Sequence, residues 1–228
     1  MTSREPITHE LLRRVELFKK LDVVQLRRVS GLLREHHIAE GESIFNQDEQ
    51  GDCLYLILTG YVRIYMLSAD GREITFRVYG SGDSFGEFAV LDGKPRSAGA
   101  IALSDVTSFV IYRDDFVELM HSHFDLVLNV IAVLTERLRF TTKMAENMAF
   151  LSASARIANA ITQLAVRGTL SPEGLRINVT QQDLASYAGA TREWTNKALR
   201  TFSKEGVLKV ERSSITIIDE ARLAHWAD

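Results

Sequence analysis

One cysteine, Cys53, stands among 228 residues. It can form no internal disulfide and cannot supply a four-thiolate iron-sulfur site. Long apolar runs are also missing: one of the longest, Leu126 to Leu134, is broken by Asn129 and falls far short of a membrane span. The opening MTSREPITHE has no apolar signal core, so the expectation is a cytoplasmic chain with no membrane partner. There is no glycine-rich triphosphate loop and no Ser/His/Asp set at a recognisable motif, which argues against an enzyme. His36-His37 and His121-x-His123 have no cysteine or clear carboxylate partner at ligand spacing, so they read as surface histidines, and no metal or cofactor is expected. What is present is ordinary for a globular protein, 46% hydrophobic with a net charge of −3. That charge divides unevenly. From Leu151 onward ten Lys and Arg face eight Asp and Glu, or +2, and the remainder carries seventeen against twenty-two, or −5. An acidic first part joined to a mildly basic second part suits phosphate binding by the second.

The segment from Val179 to Phe202 reads as two short capped helices joined at a glycine. Thr180 sits at an N-cap with Asp183 three residues on, and Leu184, Ala185 and Ala188 form an apolar face. Gly189 ends that helix, since the residue just past a helix usually takes a left-handed backbone. Thr191 is a second N-cap, after which Thr195, Leu199 and Phe202 make a buried stripe. This leaves Arg192, Glu193, Asn196, Lys197 and Arg200 on the outer face. The pattern is a helix-turn-helix, and those side chains suit a major-groove reader. Arg or Lys donates to guanine O6 and N7, Glu accepts from cytosine N4, and Asn pairs with adenine. A solvated charged helix in any small domain is the plainer alternative for one such helix alone. Thr180, Gln181 and Thr191 complete the candidate DNA contacts. Arg200, Lys204 and Lys209 lie further along the helix or toward a wing, where phosphates are nearer.

From about His36 to Tyr112 short β-branched and aromatic runs alternate with glycine turns roughly ten residues apart, with Asp70-Gly71 as a hairpin turn. Spacing of this kind indicates an antiparallel jelly roll or barrel. From about Asp125 the period changes. Val127, Ile131, Leu134, Leu138, Thr141, Ala145 and Met148 follow by alternating steps of four and three, an a/d seam on one long helix. Such a seam usually lies against a copy of itself, although a helix buried on its own barrel would show similar spacing. A helix from about Ser154 to Val166 follows, and short runs at Val207 to Val210 and Ile215 to Ile218 flank Glu211-Arg-Ser-Ser214 as a wing. The expected fold class is α+β: a β jelly-roll barrel over 1–124, a long helix over 125–150 and a winged helix-turn-helix over 151–228.

The run Phe85-Gly-Glu-Phe-Ala-Val-Leu-Asp-Gly-Lys-Pro-Arg-Ser-Ala98 falls between the last turns of the barrel. It resembles the phosphate-binding cassette of cyclic-nucleotide-binding domains, in which a Gly-Glu pair opens a short helix and Pro-Arg-Ser-Ala closes the site. The resemblance implies a ligand site of Gly86, Glu87, Phe88, Ala89, Arg96 and Ser97. The chemistry suits these residue types. A guanidinium fork at Arg96 can pair a cyclic phosphate through two hydrogen bonds, while Ser97 and the amides near Gly86, Phe88 and Ala89 donate more. Glu87 offers an acceptor to a ribose 2′-hydroxyl. The alternative is an empty pocket in which Glu87 opens the helix and Arg96 is its salt-bridge partner.

The helix-turn-helix in turn resembles the recognition region of the catabolite-activator and Fnr family of bacterial transcription regulators, whose helix opens on Ser-Arg-Glu-Thr-Val-x-Arg. Here the run is Thr191-Arg192-Glu193-Trp194-Thr195-Asn196-Lys197. The family implies that Arg192, Glu193 and Lys197 read bases. Lys197 lacks the planar fork of arginine, which weakens discrimination at its base pair. Trp194 can touch a thymine methyl or deoxyribose, or cover the core beside Phe202, with packing as the default. Aligned on Asn147-Met-Ala-Phe150, Thr141 and Thr142 fall where cAMP-responsive relatives place a Thr-Ser pair on the adenine amino group. Threonine bonding back to its own helix is the alternative there. The one cysteine excludes an Fnr-like oxygen sensor. The family thus implies a homodimer controlled by cAMP, or by cGMP, acting on double-stranded DNA with an inverted-repeat operator, with RNA polymerase as a further partner. A same-fold regulator with an empty or different-ligand pocket is the competing reading.

Overall fold

The computed structural model describes residues 9–68, 71, 73–166 and 168–227. Contacts divide the chain into two compact units, residues 1–70 with 76–139 and residues 71–75 with 140–228. The turn expected at Asp70-Gly71 rests on Asp70, outside the described residues.

Helix α1 (His9–Arg14) and a 3-10 turn (Glu16–Phe18) lead to α2 (Val23–Leu32), which Asp22 and Gln25 open as a reciprocal capping box with two 2.8 Å bonds. Strands β1 (Arg34–Ile38), β2 (Ser43–Phe45), β3 (Cys53–Thr59), β4 (Val62–Leu67), β5 (Glu73–Tyr79) and β6 (Ser84–Phe85) follow. Next come α3 (Glu87–Asp92), β7 (Gly99–Ala102) and β8 (Val106–Tyr112). They form two four-stranded sheets, ordered β1-β8-β3-β6 and β2-β7-β4-β5. Pairings such as Leu54 with Ile111 and Ile64 with Ala100 are antiparallel, giving the jelly-roll barrel expected from the spacing of the glycines. Gly60 shows why glycine marks these turns. Its φ is 87°, and a Cβ there would stand 2.3 Å from the Asp105 carbonyl oxygen.

Helix α4 (Arg113–Ser122) closes the barrel and α5 (Phe124–Phe150) leaves it at a 116° bend. Leu126, Val130 and Val133 of α5 are buried with Phe18, Leu54, Leu56, Ile111 and Phe116 in one core. Asn129 on the same face donates to the Leu17 carbonyl oxygen at 3.1 Å. The stripe that α5 lays on its own unit is therefore centred on 126, 130 and 133, with Leu134 of the a/d seam packed against it. Ile131 is exposed, and Leu138 is exposed at 66%. Burial on its own barrel accounts for Leu134 but not for Ile131 and Leu138. Among the described residues no single helix is long and apolar enough to cross a membrane.

In the second unit α6 (Ala153–Ala165) precedes β9 (Thr169–Ser171), β10 (Gly174–Asn178), α7 (Gln181–Ala188), α8 (Arg192–Lys204), β11 (Leu208–Val210), β12 (Ser214–Ile217) and α9 (Glu220–Trp226). The sequence suggested one hairpin here. The structure has four strands in the order β11-β12-β10-β9, because Ser171-Pro-Glu-Gly174 is itself a turn. Gly174 takes φ 137°, where a Cβ would stand 2.0 Å from the Ile217 carbonyl oxygen. Ile157, Ile161, Leu184, Leu199, Phe202, Val207 and Ile215 share the core.

Leu126 is fully buried and Leu170 almost fully exposed. Leu126→Ala should cost about 2–5 kcal/mol of unfolding free energy in a urea titration, and Leu170→Ala less than about 0.5 kcal/mol.

Candidate functional site

In the first unit the cassette is shaped by two turns that approach one guanidinium. Gly86, with φ 82°, is the N-cap of α3, and its Cβ, if it had one, would meet Arg96 Nη1 at 2.7 Å. A Cβ on Gly51 would stand 2.3 Å from Arg96 Nε. Into this gap Arg96 folds inward, only 4% exposed. Its Nη1 donates to the Gly86 carbonyl oxygen and its Nη2 to that of Cys53, both at 2.8 Å, and the guanidinium lies 4.2 Å from the Phe45 ring centroid. The backbone of Arg96 is held too: its amide donates to Glu49 O at 2.7 Å and its carbonyl accepts from Asp48 N at 2.9 Å. The Nε remains buried without a hydrogen-bond partner.

Glu87, 2% exposed at the first position of α3, does not pair with Arg96. Its Oε1 takes Arg137 Nη1 from α5, while Arg137 Nη2 donates to Ser84 O at 2.5 Å. One part of the empty-pocket alternative is corrected, the salt bridge of Glu87 to Arg96, while Glu87 does open α3 as that alternative had it. The two backbone carbonyls already occupy the Arg96 fork, and Arg137 reaches Glu87 from α5. Glu87 Oε2 is buried with no hydrogen-bond partner. Burial draws the Arg137 guanidinium below its ordinary value. Aromatic rings line the same region: Tyr55 stacks on Phe85 at 4.9 Å, Phe45 lies 5.9 Å from both, and Tyr79 carries the Arg137 guanidinium 5.1 Å from its centroid.

The structure thus brings Gly86, Glu87 and Arg96 together, with Ala89 buried behind them. Ser97 and the Phe88 side chain are exposed. Thr141 and Thr142 lie on α5 in the second unit, both exposed. Sequence reasoning missed Phe45, Gly51, Cys53, Ser84 and Arg137. None of these carries a motif, since each reaches the site from another strand, loop or helix. Burial pushes the Cys53 thiol up, and its Sγ lies 3.7 Å from Arg96 Nη2.

In the second unit the caps fall where the sequence placed them. Thr180 Oγ1 accepts from Asp183 N at 3.1 Å, Thr191 Oγ1 accepts from Trp194 N at 3.2 Å, and Gly189 takes φ 56°. Arg156 of α6 locks the turn, donating to the carbonyl oxygens of Ala188 at 3.0 Å and Gly189 at 3.3 Å. That arginine gave no sequence signal. Thr195, where the family pattern has an aliphatic, is fully buried, and its hydroxyl bonds back to Thr191 O at 3.0 Å.

Arg192, Glu193, Lys197 and Arg200 are exposed on α8. A cleft of about 350 Å³ along the helix is lined by Gln181, Asn196, Leu199, Arg200, Ser203 and Val210. Three candidate DNA residues, Gln181, Asn196 and Arg200, share that wall. Lys209 stands on the wing strand β11, as expected, and is paired at the surface with Glu173 from the β9–β10 turn. One expectation needs correction. Trp194 does not cover the core. It is 50% exposed, and the ring against Phe202 is that of Trp226, 5.1 Å away and edge-on. The α8 period explains this, since residues 195, 198, 199 and 202 take the buried side.

Among the described residues no group of three or more His, Cys, Asp or Glu could hold a metal ion. Compared with known proteins, residues 35–123 match the cyclic nucleotide-binding domain and residues 155–226 the Crp-like helix-turn-helix domain. The chain is 32% identical to a CRP-like cAMP-activated global transcriptional regulator of Mycobacterium tuberculosis, over 96% of this chain and 99% of that one. It is 30% identical to the cyclic AMP receptor protein of Thermus thermophilus, over 82% and 85%. The solved structure of CLP, a c-di-GMP responsive global regulator of Xanthomonas campestris, superposes with a TM-score of 0.78 over 86% of this chain and 99% of that one, at 21% identity, a likeness of fold.

Because the native Cys53 thiol ionises later than an unfolded thiol, whose value is 9.0, its contribution to stability is complete below that pH. The contribution is lost as pH rises through the native value. Urea unfolding of the parent and Cys53→Ala between pH 7 and 10 should show the parent losing stability relative to the variant above about pH 9.

Proposed function

Because this chain belongs to the CRP-like family of transcription regulators, uniting a cyclic nucleotide-binding domain with a Crp-like helix-turn-helix, we propose that it is a homodimer whose sequence-specific DNA binding is controlled by a cyclic mononucleotide, cAMP. It is a regulator and not an enzyme. One observation carries the ligand assignment. Two buried, oppositely charged side chains flank Gly86, and each keeps an unbonded polar atom, Nε on Arg96 and Oε2 on Glu87. Buried charges favour opposite charge and full hydrogen bonding. A cyclic phosphate would supply an anion to Arg96 in place of neutral carbonyl oxygens, and the ribose 2′-hydroxyl would donate to Glu87. Ser97 and the amides of Gly86, Phe88 and Ala89 complete the phosphate side. Thr141 and Thr142 are assigned to the base.

The dimer is supported by Ile131, Leu138 and Met148, apolar residues of the a/d seam that stay exposed on α5. In this reading residues 1–124 sense the ligand, residues 125–150 join two copies, and residues 151–228 bind DNA. Ligand alters the seam and with it the separation of the two recognition helices, which must stand about 34 Å apart to enter successive major grooves. Arg192, Glu193, Asn196 and Lys197 face bases. Gln181, Arg200 and the capping threonines Thr180 and Thr191 face the backbone. RNA polymerase in the cytoplasm is the further partner that the family implies.

Calorimetric titration of the full chain with cAMP, cGMP, 2′-deoxy-cAMP and c-di-GMP tests the ligand. Binding by cAMP is expected, with Arg96→Ala losing more than tenfold, a cost of about 2–5 kcal/mol, and Glu87→Ala losing discrimination against the 2′-deoxy ligand. Parent-like affinity in Arg96→Ala would overturn the cassette.

Binding-site selection from random duplexes, with and without cAMP, tests the DNA half. An inverted repeat with half-sites one helical turn apart should emerge, more strongly with cAMP. Equal recovery in both arms would remove the nucleotide switch and leave DNA binding standing.

A further inference from the structure

The chain has two tryptophans in opposite situations. Trp226 packs edge-on against Phe202 and donates its Nε1 to Glu205 Oε2 at 3.3 Å. Trp194 lies half exposed in the first turn of α8, outside the buried stripe, and among the described residues no aromatic ring packs on it. Its contact is with a charge: Lys197 Nζ sits 4.6 Å from the indole centroid, one turn along the same helix. The backbone beneath the pair is rigid, because Thr191 caps the Trp194 amide at 3.2 Å and the Thr195 hydroxyl bonds back to Thr191 O. No carboxylate forms a salt bridge with Lys197 among the described residues.

We propose that Trp194 is a positioning residue for base readout, its indole face holding the Lys197 ammonium on one line of approach to a base edge. This inference rests on α8 being the recognition helix. A lysine alone is a point charge on a four-carbon stem and lacks the fork with which arginine reads guanine O6 and N7 together. Rotational freedom of that stem lets it reach several acceptors with similar energy. An aromatic face, best that of tryptophan, removes much of this freedom before DNA arrives, so the ammonium pays less entropy at one acceptor than at others. At 3.6 residues per turn Trp194 falls about 160° around the helix from Asn196. The exposed face of α8 is thus bordered by the indole on one side and by the cleft at Asn196, Arg200 and Ser203 on the other.

The test is duplex selection and affinity measurement with the full chain, comparing parent, Trp194→Ala, Trp194→Phe, Lys197→Ala and the double alanine variant. Trp194 is outside the core, so its variants keep the fold, which melting curves check. Trp194→Ala should weaken the parent's selected duplex about two- to fivefold, the range of a cation-π contact near a surface, and relax base preference at one pair per half-site. Lys197→Ala should relax the same pair, the double variant should be no worse there than Lys197→Ala alone, and Trp194→Phe should recover part of the preference. Unchanged base preference in Trp194→Ala, or loss spread equally over selected and random duplexes, would overturn the inference. If the parent selects no duplex at all, the DNA-binding reading fails and this one falls with it.

Discussion

Arg96 is a permanent charge placed where almost no water reaches it, and much of the barrel is arranged around that fact. A guanidinium cannot shed its proton at any ordinary pH, so it must be satisfied in place. Cys53 and Gly86 offer carbonyl oxygens, Phe45 offers a ring face, and Gly51 and Gly86 leave out the side-chain carbon that would collide with it. None of these partners is an anion. Among the described residues the only buried carboxylate, Glu87, is turned to Arg137. The site therefore keeps cation and anion apart, each partly satisfied, in the arrangement that a ligand with one negative charge and one hydroxyl would complete.

The same separation of holding from reading runs through the second unit. Arg156 spends its donors on the turn of the helix-turn-helix, fixing α7 against α8. Lys209 spends its charge on Glu173. Arg192 and Arg200, by contrast, are exposed and make no ion pair among the described residues. Four exposed basic side chains, Arg192, Lys197, Arg200 and Lys204, lie on that one helix, α8, and Arg212 is exposed between the wing strands.

Much of this was legible before any coordinates. Caps at Thr180 and Thr191, the left-handed Gly189 and the glycine-punctuated barrel depend on neighbours within a few residues, and local backbone chemistry decides them. The α5 seam was legible in part. Its period showed an apolar stripe, but two stripes run along the helix, and only packing separated 126, 130 and 133 from the seam at 131 and 138. The β9 strand went unseen because three residues carry no period.

Sequence alone determined the caps and the turn of the helix-turn-helix, the glycine-marked turns of the barrel and the charged face of α8, since periodicity, capping and side-chain chemistry are written in short windows. Tertiary structure alone decided which partners those residues take. Arg137 reaches Glu87 across 50 residues of chain and Cys53 reaches Arg96 across 43, and Trp226 rather than Trp194 meets Phe202. A contact made across such distances depends on the whole fold bringing two surfaces together, and neither side chain by its own neighbours says which surface it will meet.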